Sequence, residues 1–131
     1  MPNRYVEGIA VDGSDSCGRT VYVAFNGFSR RWTEGPGAGI GHLFKTTDAG
    51  ATWADVSGNL PDVPLTSLIV RGSSIIAGSD LAVLYSADAG ATWSRLSGNS
   101  PVTTVMDLTL GPDRLLYAAT HGRGIWSIAA P

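Results

Sequence analysis

The sequence predicts an all-β protein made of β-propeller blades: two complete blades of four antiparallel strands and a three-stranded third, in a ring that does not close. Three observations carry that expectation. The hexapeptide Asp-Ala-Gly-Ala-Thr-Trp occurs at Asp48 to Trp53 and again at Asp88 to Trp93, 40 residues apart. A supersecondary unit repeated at such a period marks an architecture in which each unit buries its apolar face against the next. The register runs past the hexapeptide, because Ser57-Gly58-Asn59 returns as Ser97-Gly98-Asn99 and Pro61 as Pro101. Between these markers lie short apolar or alternating runs bounded by Gly, Pro, Asp and Asn, the pattern of strands and tight turns.

The elements follow in order. The first blade, about residues 1–60, is expected to hold strands at Val6–Val11, Thr20–Phe25, Leu43–Thr46 and Thr52–Val56. The second, about 61–100, repeats them at Leu65–Val70, Ser74–Gly78, Val83–Ser86 and Thr92–Leu96. The third, about 101–131, has Val105–Leu110, Leu115–Thr120 and Ile125–Ile128, with no fourth strand and no third hexapeptide. Pro2 to Val11 aligns with Pro61 to Val70 at a constant offset of 59, so the residues before the first strand read as a connection between blades. Such a set cannot close a ring whose usual sizes begin at about four blades. Left open, it presents an apolar flank and a bare strand edge, surfaces that proteins usually cover or pair. The expectation is a fragment of a larger propeller or a unit that self-associates, with a homodimer of about six blades the favoured form.

Composition excludes several classes of partner. The 131 residues are 44% apolar, enough for a core, and carry a formal net charge of -2 with a pI near 5.5. There is no basic field to hold a phosphate backbone, so nucleic acid is not an expected partner. No apolar run of about 18 residues exists to span a bilayer, and the first residues lack the order of a signal peptide. A membrane is therefore not an expected partner, and localisation stays open. The single cysteine, Cys17, rules out an intrachain disulfide and reads as a loop or packing thiol. His42, His121 and Cys17 show no metal-ligand spacing. Asp12-Gly13-Ser14-Asp15-Ser16 has the outline of a calcium loop without its terminal Glu, and reads as a polar turn. No metal and no cofactor is expected.

Each residue of the repeated hexapeptide has a folding task. An Asp at a turn start, Asp48 or Asp88, can accept hydrogen bonds from the amides that follow it. Gly50 and Gly90 can take a positive φ without steric cost. Thr52 and Thr92 offer a second local bond, and Trp53 and Trp93 return to the sheet to bury a large ring.

In these residues the chain resembles the Asp-box, or BNR-repeat, proteins found among sialidases, xyloglucanase-like glycoside hydrolases and sortilin-type receptors. The stretch Leu116-Tyr117-Ala118-Ala119-Thr120-His121-Gly122-Arg123-Gly124-Ile125-Trp126 is similar to the closing blade of bacterial propellers related to the xyloglucanase-like enzymes. The resemblance implies that the box closes the turn between third and fourth strands, away from any catalytic centre, and that the parent protein is secreted or extracytoplasmic. A fold family of this kind does not bring a function with it.

Function is expected on the opposite face, where the loops between second and third strands gather with the inter-blade connections. Those segments are Gly27 to His42, Ser57 to Pro64, Asp80 to Ala82, Ser97 to Thr104 and His121 to Gly124. Asn26 aligns with Asp80 at an offset of 54 whereas Thr46 aligns with Ser86 at 40, which leaves a 14-residue insertion in the first unit. Loops added to a rigid scaffold often carry function. Within it Trp32 can stack on a sugar ring, Arg30 and Arg31 can bind a carboxylate or phosphate, and Glu34 can accept sugar hydroxyls. The plainer alternative is a surface excursion whose Trp packs on the blade. His121 and Arg123 align with Asp80 and Ala82, replacing a generic turn by two side chains able to meet an anion or a sugar, or simply to pair within the turn.

Glycoside hydrolysis needs two carboxylates flanking the bond, roughly 5–10 Å apart. The candidates are Glu34, Asp62 and Asp80, and nothing in their spacing fixes a pair. The favoured expectation is a non-catalytic module that recognises carbohydrate or protein through Arg30, Arg31, Trp32, His121 and Arg123. The alternatives are a piece of a glycoside hydrolase and a purely structural set of blades.

Overall fold

The computed structural model describes residues 1–29, 41–96 and 102–131. Among them the chain forms three antiparallel sheets and no helix. The first sheet is β1 (Val6–Val11), β2 (Val21–Phe25), β3 (Leu43–Thr46) and β4 (Ala54–Asp55), paired in that order. The second repeats it with β5 (Leu65–Arg71), β6 (Ser74–Ser79), β7 (Val83–Ser86) and β8 (Ser94–Arg95). The third holds β9 (Val105–Leu110), β10 (Leu115–Thr120) and β11 (Gly124–Ala129), with β11 at its edge. This is the open set of propeller blades that the repeat predicts. The outermost strands are shorter than expected: β4 and β8 have two residues each, although the next residues, Val56 and Leu96, still donate backbone hydrogen bonds to Leu43 and Val83 of the neighbouring strands.

Packing follows from the strand period of two. In β6, Ile75 and Ala77 face the first sheet, where they join Tyr22, Ala24, Leu43, Leu65, Val70, Leu84 and Trp93 in one core. Ile76, between them, faces the third sheet and packs with Val105, Leu108, Leu116 and Ala118 in a second core. The middle blade is thus apolar on both sides, which is why β6 reads as a nearly continuous buried run. The outer blades are covered on one side only. A Cβ on Gly8 would lie 3.3 Å from Leu68, so Gly8 and Ala10 face the second sheet, while Ile9 (68% exposed) and Val11 (56%) point away from it.

Each innermost strand carries a register shift at its start, at Val6/Gly8, Leu65/Ser67 and Thr120/Ala119 opposite β9. The extra residues are Glu7, Thr66 and Met106. Bulges of this kind re-aim a strand at the rim of a sheet, and nothing in the hydrophobic pattern announces them.

Candidate functional site

The two repeated turns are built alike. Asp48 Oδ1 accepts from the Thr52 amide at 2.8 Å and the Thr46 hydroxyl at 2.7 Å, and Oδ2 from the Thr52 hydroxyl at 2.5 Å. Asp88 makes the same bonds with Thr92 and Ser86. The hydroxyl of Thr92, its amide and the Ser86 hydroxyl draw the Asp88 pKa down to about 2; the Thr52 and Thr46 hydroxyls and the Thr52 amide do the same for Asp48, also to about 2. Each carboxylate is held by three hydrogen bonds from its own turn. Ala49 and Ala89 take φ of 60° and 58°, followed by Gly50 and Gly90 at 94° and 96°. The second pair lies where a side chain is strained, so only glycine serves. Trp53 and Trp93 donate their indole N–H to Gly50 and Gly90 carbonyls.

The turns lie at the end of the sheets that also holds the Asp12 loop. Ala49 bonds Arg19 and Ala89 bonds Ser73 through the backbone. Asp12 Oδ1 accepts from the amide and hydroxyl of Ser14 and from the Gly72 amide of the second blade, while Asp15 gathers the amides of Cys17, Arg19 and Thr20. The segment is a polar turn that ties two blades together, and Cys17 beside it is an exposed free thiol.

One expectation about the faces needs correction. The connection Ser57 to Pro64 is not confined to the loop face, since its first residues pack on the second blade's repeated turn. Asn59 accepts from the Trp93 amide at 2.6 Å and donates to the Trp93 carbonyl at 3.2 Å. A Cβ on Gly58 would meet the Ala91 carbonyl oxygen at 2.3 Å, and one on Gly90 the Val56 oxygen at 2.4 Å. Twist accumulated across four strands swings the outermost one toward its neighbour, so its exit crosses to the next blade before the chain turns to the loop face.

On that face the chain builds a polar clamp, with a buried histidine between a half-buried arginine and a half-buried aspartate. His42, fully buried, has its Nδ1 3.1 Å from a guanidinium nitrogen of Arg4 and its Nε2 3.0 Å from Asp62 Oδ1. Arg4 has only donors, so Nδ1 must accept and Nε2 carries the proton that goes to Asp62. Arg4 also donates to the carbonyls of Gly27 and Gly41, and Asp62 Oδ1 accepts from the Ser29 amide at 2.8 Å. Burial, and then the Arg4 charge, hold His42 below its ordinary pKa against the opposing pull of Asp62. Burial acts to raise Asp62, but the Ser29 bonds and His42 outweigh it, and the carboxyl sits below its usual range. The result is a neutral imidazole between a fixed cation and a fixed anion.

The clamp joins the segment before β1, both ends of the β2–β3 loop and the connection to β5. It was not found from the sequence, and its trace in the repeat is indirect: Arg4 stands at the place of Val63 and His42 at that of Ala82, both buried apolar residues in the second blade. A polar pair where the neighbouring repeat has an apolar one is the signal.

Of the other candidates, Arg30, Arg31, Trp32 and Glu34 lie outside the described residues. Asp80 is half-buried, with its amide 3.3 Å from the Pro64 carbonyl. Leu81 O accepts from the Thr103 amide and Thr104 O from the His121 amide, so the Asp80 turn, the Thr103–Thr104 connection and the His121 turn form one continuous surface. His121 and Arg123 are exposed on it. Glu7, at the first bulge and bonded to Asn26 Nδ2 at 2.9 Å, adds an exposed carboxylate that the repeat alone did not single out. Among the described residues no group of three His, Cys, Asp or Glu could hold a metal ion.

A scan against protein-family models gives no match, and neither does a search of the curated proteins. Solved structures do match. The GH74 xyloglucanase of Xanthomonas campestris superposes with a TM-score of 0.67 and 19% identity, over 92% of this chain and 20% of the enzyme. YCF48 of Cyanidioschyzon merolae gives 0.65 and 18%, over 98% of this chain and 35% of that one. The GH74 enzyme of Niastella koreensis gives 0.65 and 16%, over 95% and 21%. These are β-propeller proteins, and the likeness establishes the fold. The chain spans between a fifth and about a third of their length.

Proposed function

We propose that the chain is a non-catalytic propeller module that recognises carbohydrate or protein through its loop face, and that the two repeated turns are Asp boxes with a purely structural role. The observation that carries the reading is the state of Asp62. Among the described carboxylates of the loop face it is the one held by a histidine, yet that histidine is buried and its second nitrogen is occupied by Arg4. A general base needs a free lone pair within reach of substrate, and the buried imidazole offers none, since Nε2 donates to Asp62 and Nδ1 accepts from Arg4. What the face does offer is a rigid floor, made by the clamp and the Thr103–Thr104 stitches, beside exposed His121 and Arg123. Arg30, Arg31 and Trp32 of the inserted loop are assigned to the same ligand.

The exposed apolar residues on both outer blades support self-association. Tyr5, Ile9 and Val11 flank the first sheet and Ile125 lies on the edge strand of the third, 84%, 68%, 56% and 75% exposed. A dimer of about six blades would cover them. A second reading, a piece of a glycoside hydrolase, is favoured by the structural likeness to two GH74 enzymes. A glycan array together with a panel of polysaccharide substrates separates the two. Binding that falls when Arg123 or Trp32 is replaced by Ala, with no turnover, is the expected result. Turnover abolished by Glu34→Gln or Asp80→Asn would establish the hydrolase instead, and silence on both panels would leave the blades a structural part only.

A further inference from the structure

The two repeated turns are identical in sequence and differ in what lies on them. In the second blade the turn is covered: Gly90 is buried, Trp93 is 8% exposed, and the segment Val56 to Asn59, leaving the outer strand of the first blade, lies across them. The fit is specific at three points. Val56 brings its carbonyl so close to Gly90 that no Cβ fits there. Gly58 approaches the Gly90 and Ala91 carbonyls, where a Cβ would lie 2.5 and 2.3 Å from oxygen. Asn59 bonds both the N–H and the C=O of Trp93.

In the first blade the same turn, with the same internal hydrogen bonds, is open. Gly50 and Ala51 are exposed and Trp53 is half-buried. The nearest neighbour to a Cβ on Gly50 is the turn's own Trp53 ring at 3.7 Å. Among the described residues no side chain serves the Trp53 amide as Asn59 serves that of Trp93. We propose that this turn is a docking site for an extended segment of the form apolar-Ser-Gly-Asn, the exit of an outer strand from another propeller blade. The second blade shows the occupant in place. The residue types follow from the contacts: glycine where the turn's carbonyls approach, asparagine where a peptide N–H and C=O must both be paired, and an apolar residue against the turn's own glycine. Serine belongs to the donor side, where Ser57 Oγ accepts from the amides of His42 and Leu43 and so fixes the segment to its own blade. The inference does not depend on what the loop face binds.

The test leaves the protein unaltered and varies the ligand. The peptide Ala-Asp-Val-Ser-Gly-Asn-Leu-Pro-Asp, which is residues 54–62, is titrated into the 15N-labelled chain while backbone and indole signals are followed by NMR. A free peptide gives up chain entropy on docking, so half-saturation on the order of 1 mM is expected. The amides of Gly50, Ala51 and Trp53 should shift together and saturate, with Trp93 unmoved. Peptides carrying Asn59→Ala or Gly58→Val should bind at least about tenfold more weakly, roughly the loss of 1.4 kcal/mol. No shift at Trp53 by several millimolar, or equal shifts from all three peptides, would overturn the proposal.

Discussion

Replacing Gly90 by Ala and, separately, Gly50 by Ala isolates the closeness of two blades from the conformation of a turn. Both glycines have φ near 95° and sit in turns of the same sequence and the same hydrogen bonds. An L-residue forced left of its allowed region costs about 1–2 kcal/mol at either site. Only at Gly90 does the new Cβ also strike another blade, 2.4 Å from the Val56 carbonyl oxygen and 3.2 Å from its Cβ. Relieving that overlap moves backbone, which adds about 1–3 kcal/mol. Gly50→Ala is therefore expected to lose about 1–2 kcal/mol and Gly90→Ala about 2–5 kcal/mol. Urea denaturation of both variants at one protein concentration, followed by tryptophan fluorescence, measures the difference. Equal losses, or a larger one at Gly50, would refute the claim that Gly90 is required by the packing between blades.

Asn59→Ala should destabilise by about 1–3 kcal/mol, since it strips the partner from the Trp93 amide, and Asn59→Asp should recover only part of that because it cannot donate to the carbonyl. His42 supplies a pH dependence whose sign follows from its lowered pKa: the unfolded imidazole takes a proton below about 6.5 while the folded one resists. Stability should be full above that pH and decline as pH falls toward the folded value, and His42→Gln should flatten this limb in a pH series of urea melts. Asp48 and Asp88, lowered from 3.8 to about 2, contribute stability that is present above 3.8 and lost as pH falls toward 2; the double variant Asp48→Asn, Asp88→Asn should remove that acid limb. Light scattering at micromolar concentration is expected to give twice the mass of one chain, and Ile9→Glu with Ile125→Glu should return it to a monomer.

Much of the fold was legible because a strand is a local object. Short apolar runs such as Val21–Phe25 and Ser74–Ser79 declare themselves as strands, and the repeat then checks each strand against its copy. The interior of the Asp-Ala-Gly-Ala-Thr-Trp turn was legible for the same reason, since every bond in it spans at most four residues. The clamp was not. Arg4, His42 and Asp62 become neighbours only after three separate segments converge, and no spacing along the chain encodes that. Its trace in the sequence was indirect, a polar pair at the places of Val63 and Ala82.

By itself, then, the sequence determined the repeat, the strands within it, the chemistry of each turn and the blade count of an open set. Tertiary structure decided what those parts touch. It placed Val56 to Asn59 across the second blade's turn and left the first blade's identical turn bare, it put His42 between Arg4 and Asp62, and it exposed Ile9 while burying Ile75. The physical reason is that local preferences are set by a few neighbouring dihedrals and hydrogen bonds, which a short sequence fixes. Contact between segments depends on how twist and packing accumulate across whole sheets, and two identical hexapeptides cannot differ in anything except where the rest of the chain puts them.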